Sequence, residues 1–381
     1  MSKILFNNIS YSPQLIKNIE HLLGNYELFR NKHYSTLCLA YLQKKYSQSE
    51  LLLTHSATGA LEIIATLINA KEDDEIIMPS FTYVSTALAF ANKGAKLVFV
   101  DIEPNTLCIN VKEVEAAITP NTKAIVGVHY GGHACDIDKL KALCDEYKLF
   151  LIEDAAMSYG FNHNNRPLGT IGNFGVISFD ITKHISAIQG GLLLINNDNY
   201  KKRAHQIYHI GTNRVEFMNG TFPYYEWVDY GSKYQMNEMN AVVLYDAFMH
   251  ENELMTNRIN ISRIYYEELH PLISKGIIRA VPTEWLSNNI HLFYVIIPSA
   301  QKRNQLIQQL HDLGIEAVFH YQPLHSSPMG KRIVACNPLP VTESVANSIL
   351  RLPMHCKMDE NDVKKIARTL THLLSPLNAA I

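Results

Sequence analysis

No apolar run in this 381-residue chain approaches the roughly 20 residues that a membrane-crossing helix needs. The opening residues, Met1-Ser2-Lys3-Ile4-Leu5-Phe6-Asn7-Asn8, lack the long apolar stretch of a secretory signal. Net charge is scarce too: 34 Lys and Arg against 36 Asp and Glu leave −2, which gives no electrostatic case for nucleic acid or an anionic membrane as partner. Basic residues come singly or in short runs, as at Lys44-Lys45 and Lys201-Lys202-Arg203. The six cysteines (Cys38, Cys108, Cys135, Cys144, Cys336, Cys356) show no paired, metal-type spacing, and a chain of this size builds a core without a disulfide framework. Reduced thiols, no metal, and a soluble cytoplasmic protein are the expectation. Repeats and low-complexity segments are lacking as well.

What is present is an ordinary globular composition, 47% hydrophobic and 18% charged, over a length that suits one large domain and a smaller one. Residues 14–47 read as helical, with a loop at Gly24–Arg30. A short strand, Leu51–Thr54, leads through a turn, His55–Gly59, into a helix that Ser56 or Thr58 would cap. Short continuous apolar strands then alternate with helices: Glu75–Pro79, Lys96–Asp101, Ala124–His129 and Leu149–Asp154, with helices at Val111–Ile118 and Ile137–Tyr147 between them. That alternation predicts a mostly parallel sheet covered on both faces. Ligands of such sheets bind outside the carboxyl ends of the strands, where Tyr83, His129, Asp154, Ser178 and Lys183 fall.

From Gly211 to Gln235 the chain is polar, aromatic and weakly periodic, and reads as a long ordered excursion. A helix follows from about Met239 through a charged stretch to Leu269. The remainder has its own alternation, with strands His291–Ile297 and Glu316–His320 and helices Lys302–Leu313, Thr342–Leu350 and Glu360–Leu374. The division expected is a large domain over residues 1–250, N-terminal helices included, and a small α+β domain over 251–381.

The run from Gly175 to Gly191 organises the chemistry. An apolar strand delivers Asp180-Ile181-Thr182-Lys183, and the chain returns through Gln189-Gly190-Gly191 into a second apolar run. A lysine at a strand end, beside a hydroxyl residue and followed by paired glycines, is placed to form an imine with an aldehyde, which makes Lys183 the candidate for carrying pyridoxal phosphate. To move a proton, that amine must be neutral for part of a cycle, a state that burial and nearby positive charge favour. Asp154, in Glu153-Asp154-Ala155-Ala156-Met157, would keep a pyridine nitrogen protonated. Tyr83 would stack on the ring. The backbone around Ala57-Thr58-Gly59, at a helix start, and the Ser178 hydroxyl would take a phosphate.

With these residues placed, the chain resembles the DegT/DnrJ/EryC1/StrS family of sugar-nucleotide aminotransferases over essentially its whole length. The matching stretches are Leu53–Glu62, Met78–Thr86, Glu153–Ala156, Leu168-Gly169-Thr170-Ile171-Gly172 and Ser178–Lys183. Three more, Gly211–Arg214, Trp227–Ser232 and Ala317–His325, look like the branch that makes dTDP-4-amino-4,6-dideoxygalactose. The resemblance implies the aspartate-aminotransferase fold (fold type I), α/β with a mostly parallel seven-stranded sheet and a small α+β C-terminal domain. It implies transfer of an amino group from glutamate to the ketone of a nucleotide-linked 4-keto-6-deoxyhexose, with pyridoxal 5'-phosphate as cofactor. By position, Lys183 is the imine lysine, Asp154 the pyridine partner, Tyr83 the stacking ring, and Ala57, Thr58 and Ser178 the phosphate ligands. The family is a homodimer in which each site is completed by the other subunit; the usual asparagine of that contribution corresponds to Lys233. Arg214, His320 and Tyr321 are implied substrate contacts.

Departures are equally legible. Met157 stands where the family has a glutamine that reaches the cofactor, Asp180 where it has histidine, and Ile188-Gln189 where it has Gly-Glu. The glycines usual in the N-terminal nucleotide loop are missing from Asn25–Arg30. Two other readings remain open here: deoxygenation of a keto-sugar on the same cofactor, against which Lys183 speaks, and a non-catalytic regulatory relative.

Overall fold

The computed structural model describes residues 3–286, 290–334 and 337–375; Cys336, the first two residues and the last six of the expected small domain lie outside them. The seven-stranded sheet is built from β1 (Glu50–Thr54), β2 (Glu75–Pro79), β3 (Lys96–Val100), β4 (Thr122–Val128), β5 (Phe150–Asp154), β8 (Phe174–Ser178) and β9 (Gly191–Ile195); β6 (Asn162–His163) and β7 (Arg166–Pro167) form a small separate hairpin. The order across the large sheet is β1-β9-β8-β5-β4-β2-β3. β9 is antiparallel to both its neighbours and every other pairing is parallel, so one strand alone is reversed. Leu192 to Ile195 and Phe174 to Ser178 are buried throughout, the continuous apolar run of a sheet covered on both faces. The carboxyl ends of β1, β2, β4, β5 and β8 therefore share one edge.

The second sheet is antiparallel: β10 (Arg279–Ala280), β11 (Phe293–Ile296) and β12 (Ile349–Leu352). Helices Glu251–Ser274, Ala300–Asp312, Pro340–Ser348 and Glu360–Leu374 accompany it. One hydrophobic cluster joins Leu51, Ile125 and Ile177 of the large sheet to Phe293, Ile349 and Leu352 of the small one. Among the described residues no helix is long and apolar enough to cross a membrane. The five described cysteines are free thiols.

Several boundaries differ from the sequence reading. The loop expected at Gly24–Arg30 contains a helix, Tyr26–Arg30, because the Asn25 side chain accepts from the Glu27 amide and caps it. The long helix expected from Met239 is two, Glu238–Met249 and Glu251–Ser274, parted at His250. There Nδ1 of His250 lies 2.9 Å from the Asp246 carbonyl oxygen, so its N–H donates to a group that a continuing helix would use. The strand expected at Glu316–His320 does not form. The Glu316 amide donates to Ile4 O at 3.0 Å while Val318 alone pairs with Arg351, so the segment's backbone is divided between two partners. Conversely, Ile349 and Leu350, expected at the end of a helix, open β12: a short apolar run suits either element, and burial against Val295 and Ile296 decides.

Candidate active site

A cavity of about 540 Å³ opens at the shared edge of the large sheet and is closed on its other side by residues of the C-terminal part. Its first wall is a helix start. Ser56 caps Ala57–Leu67, its Oγ accepting from the Gly59 amide at 3.0 Å. The helix thus begins at Ala57, and Ala57 and Thr58 sit in its first turn rather than in a preceding loop. First-turn amides have no partner within their helix and face the positive end of its dipole. Thr58 Oγ1 is 2.7 Å from Ser85 Oγ, and Ser178, at the end of β8, faces the same cavity. The glycine after Gly190 has a steric cause: a Cβ on Gly191 would come within 2.5 Å of the Ala57 nitrogen.

The second wall is Asp154, at the end of β5. Its Oδ2 accepts from Thr86 Oγ1 at 2.6 Å and its Oδ1 from the Ala156 amide at 3.2 Å. The neighbouring Glu153 points the other way and is fully buried. It accepts from the amides of Gly169, Ile171 and Gly172 at 2.9, 2.6 and 2.6 Å, and its Oε2 lies 3.0 Å from His129 Nε2. Burial alone would raise the Glu153 pKa; the His129 contact and the Gly172 and Gly169 amides outweigh it and hold the carboxyl below its usual range. Glu153 therefore ties the Leu168–Gly172 loop to the strand that presents Asp154. His129, at a strand end, belongs to this support and not to the cavity.

Lys183 follows β8 in a turn closed by its own amide on Asp180 O at 2.9 Å. Asp180 Oδ1 accepts from both the amide and the hydroxyl of Thr182, at 3.0 and 2.9 Å, so the residue that departs from the family here shapes the lysine's loop. Burial pushes the Lys183 amine down to about 8, with Asp154 and Asp180 acting to raise it and Arg351 to lower it. Roughly a tenth of such an amine is neutral at pH 7, far more than of an exposed lysine.

Behind Lys183 two buried histidines face each other. His184 Nε2 lies 2.9 Å from Tyr159 O, and the two Nδ1 atoms of His184 and His291 are 3.0 Å apart. A carbonyl only accepts, so His184 carries its proton on Nε2. Burial keeps both rings neutral, pushing His184 down to about 3 and His291 well below its usual value. His184 Nδ1 is then an acceptor, His291 donates through Nδ1, and His291 holds an unprotonated Nε2.

Of the residues expected at the site, Ala57, Thr58, Tyr83, Asp154, Met157, Ser178, Lys183, His320 and Tyr321 all line this one cavity. Tyr83 is 62% exposed, with its ring 6.4 Å from that of Tyr321. His320 Nδ1 lies 2.9 Å from Tyr130 Oη, and burial, together with Arg351 and Lys183, keeps the imidazole neutral. Met157 is buried at the cavity wall with no donor to offer. Two expected residues are elsewhere. Lys233 pairs through its backbone with His209, and neither it nor Arg214 lines the cavity. Both sit near Lys32, whose pKa is lowered first by burial and then by Arg214, with Lys233 adding to it. The sequence reading did not single out Thr82, Thr86, His291 or Arg351. Thr82 and Thr86 were signalled by their four-residue spacing across a helix start; His291, just ahead of β11, and Arg351, on β12, arrive with no local signal.

An amine, a carboxylate and a helix N-terminus with flanking hydroxyls, gathered in one cavity, form a donor set that fits pyridoxal phosphate. A family model described as the DegT/DnrJ/EryC1/StrS aminotransferase family matches residues 30–371. An uncharacterized protein of Methanocaldococcus jannaschii is 30% identical over 358 residues, 92% of this chain and 89% of that one. Among solved structures, NtdA from Bacillus subtilis with bound cofactor PMP superposes with a TM-score of 0.84 at 23% identity, covering 98% of this chain and 86% of that one. DesI, in the presence of its TDP-sugar product, gives a TM-score of 0.84 at 23% identity over 99% of this chain and 94% of that one.

Proposed function

Because this chain belongs to the DegT/DnrJ/EryC1/StrS aminotransferase family, we propose that it uses pyridoxal 5'-phosphate to move an amino group from glutamate to a nucleotide-linked 4-keto-6-deoxyhexose, dTDP-4-keto-6-deoxyglucose. The observation that carries the reading is Lys183 and Asp154 lining one cavity beside the first turn of a helix. The cofactor, when bound, supplies an electron sink for the pair left as a proton leaves carbon. Lys183 is the residue that holds it and that then takes and returns the proton, its lowered pKa letting the amine act as a base near neutrality. Asp154, which accepts hydrogen bonds from Thr86 and Ala156, would hold the pyridine nitrogen. The amides of Ala57 and Thr58 and the Ser178 hydroxyl hold the phosphate, and Tyr83 covers the ring. Met157 gives that ring an apolar contact in place of a hydrogen bond. His320 and Tyr321 contact the sugar.

Arg214 and Lys233 act, in this reading, on the site of a second copy. Exposed apolar side chains on the same excursion support a homodimer: Met218, Tyr224, Trp227 and Tyr230 are all exposed, Trp227 by 81%, and several large exposed apolar groups on one segment are what an association face offers. The division into a large cofactor domain, 1–250, and a small domain, 251–381, is supported by the helix break at His250.

The test is spectroscopic. Protein loaded with pyridoxal phosphate is titrated with glutamate and then with dTDP-4-keto-6-deoxyglucose, and the amino-sugar is identified by NMR, which also reports whether the amine is axial or equatorial. Loss of the lysine-bound visible absorbance in Lys183→Ala is expected, with turnover lower by at least ~100-fold. An unchanged absorbance in that variant would sink the assignment.

A further inference from the structure

A second cavity, of about 450 Å³, lies between the loop that follows β3 and the small antiparallel sheet, and it shares no lining residue with the catalytic cavity. Leu107, Ile273, Ile278 and Ile296 give it apolar walls. Strand register sets its polar groups. Arg279 of β10 stands opposite Ile296 of β11, and Tyr294, two residues earlier on β11, projects from the same face as Ile296. Arg279 and Tyr294 are thus diagonal neighbours on one face of the sheet, and both line the cavity.

Neither polar group is satisfied within the protein. Tyr294 is 2% exposed, yet among the described residues its hydroxyl has no hydrogen-bond partner, where a buried phenol ordinarily finds one. Burial pushes its pKa up, so the phenol keeps its proton and is available as a donor. Arg279 is exposed and, among the described residues, forms no ion pair. Of the lining residues it is the one cation and Glu284 the one carboxylate. A dianion would meet too little positive charge there, and a monoanion is turned toward Arg279 and away from Glu284.

We propose that this cavity binds a small organic monocarboxylate with an apolar body, and that its occupancy is felt at the catalytic cavity. The carboxylate takes the Arg279 fork and the Tyr294 hydroxyl, while the body lies along Leu107, Ile278 and Ile296. Tyr294 is the link between the two cavities. Its ring meets that of Tyr130 edge-on at 6.1 Å, and Tyr130 Oη lies 2.9 Å from Nδ1 of His320, which lines the catalytic cavity. Across the sheet Tyr294 also pairs with Arg351 of β12, another residue of that cavity. A ligand that draws the phenol toward Arg279 therefore moves a ring packed against the support of His320.

The probe is 3-phenylpropionate, titrated by calorimetry into cofactor-loaded protein beside its uncharged counterpart, 3-phenylpropionamide. The acid is expected to bind with a Kd of about 1 mM or tighter, and the amide at least about tenfold more weakly. Arg279→Gln, at an exposed position outside the core, erases that preference. Tyr294→Phe, which keeps the ring and loses the donor, weakens the acid about three- to tenfold. Excess glutarate, an analogue of the proposed amino donor, does not displace the probe. With the probe bound, KM for the nucleotide sugar changes at least about twofold in wild type and not in Arg279→Gln. No binding, equal binding of acid and amide, binding unchanged in Arg279→Gln, or displacement by glutarate overturns the site. A bound probe that leaves KM unchanged overturns the link to the catalytic cavity. Calorimetry involves no turnover, so it judges the site whatever becomes of the transaminase reading.

Discussion

Thr86 donates to Asp154 across 2.6 Å, and since a carboxylate only accepts, Thr82, 2.9 Å from Thr86, donates to Thr86 in turn. The two hydroxyls form a directional chain that ends on the carboxylate facing the cavity. A hydrogen bond to a charged group contributes about 1.5–3 kcal/mol. Thr86→Val is therefore expected to lower kcat/KM by about 10–100-fold, with Thr82→Val a smaller loss and Thr86→Ser close to wild type. Steady-state kinetics with parallel cofactor titrations check the order; a larger effect for Thr82→Val would contradict the chain.

Glu153 is the structural counterpart of Asp154 on the same strand. Glu153→Gln puts an amide among amides that need an acceptor, and is expected to cost at least about 3 kcal/mol of stability. Because the native carboxyl is held below its ordinary 4.5, its contribution is complete above that value and is lost as pH falls through the native pKa. The gap in urea midpoint between wild type and variant should therefore narrow on acidification below 4.5. A gap constant from pH 6 to 3 would show that the charge of Glu153 does not support the loop.

The His184–His291 pair carries a different pH signature. Both rings are kept neutral by burial, whereas in the unfolded chain each binds a proton below its ordinary 6.5. Native stability is thus whole above 6.5 and declines as pH drops toward the native values. His184→Asn removes one such group, so its stability should fall less steeply between pH 6.5 and 4.5, by up to about 1.4 kcal/mol per pH unit. Nitrogen-15 NMR of the wild type is expected to place protons on His184 Nε2 and His291 Nδ1; the opposite tautomers would refute the assignment.

Trp227 and Tyr230 are 81% and 76% exposed on an excursion otherwise pinned by the Arg203–Asp229 ion pair at 2.6 Å. A buried aromatic anchor typically contributes about 2 kcal/mol or more to an interface. On the proposed homodimer, Trp227→Asp is expected to weaken self-association by at least about 30-fold and to reduce cofactor affinity with it, because Lys233 would then no longer reach a second site. Light scattering across a concentration series measures the first effect and equilibrium dialysis the second. Self-association equal in wild type and variant, or a monomeric wild type, would remove this surface from consideration.

The alternation of short apolar strands with helices was legible in the chain because a sheet buried on both faces demands continuous apolar runs such as Leu192–Ile195, repeated between helical stretches. The strand-end polar residues followed from the same periodicity. Ambiguity entered where local pattern is weak: Ile349-Leu350 suits a helix end or a strand, and only pairing with Val295 and Ile296 made it β12.

The sequence by itself determined the large sheet and which lysine, carboxylate and small-residue turn stand at its edge, since short-range periodicity and covalent neighbourhood fix those. Tertiary structure alone decided that His291, just ahead of β11, and Arg351, on β12, line the cavity with Lys183, and that Arg214 and Lys233 lie outside it. Contacts between residues more than a hundred positions apart leave no periodic trace in a chain; packing of one hydrophobic cluster against both sheets brings them together.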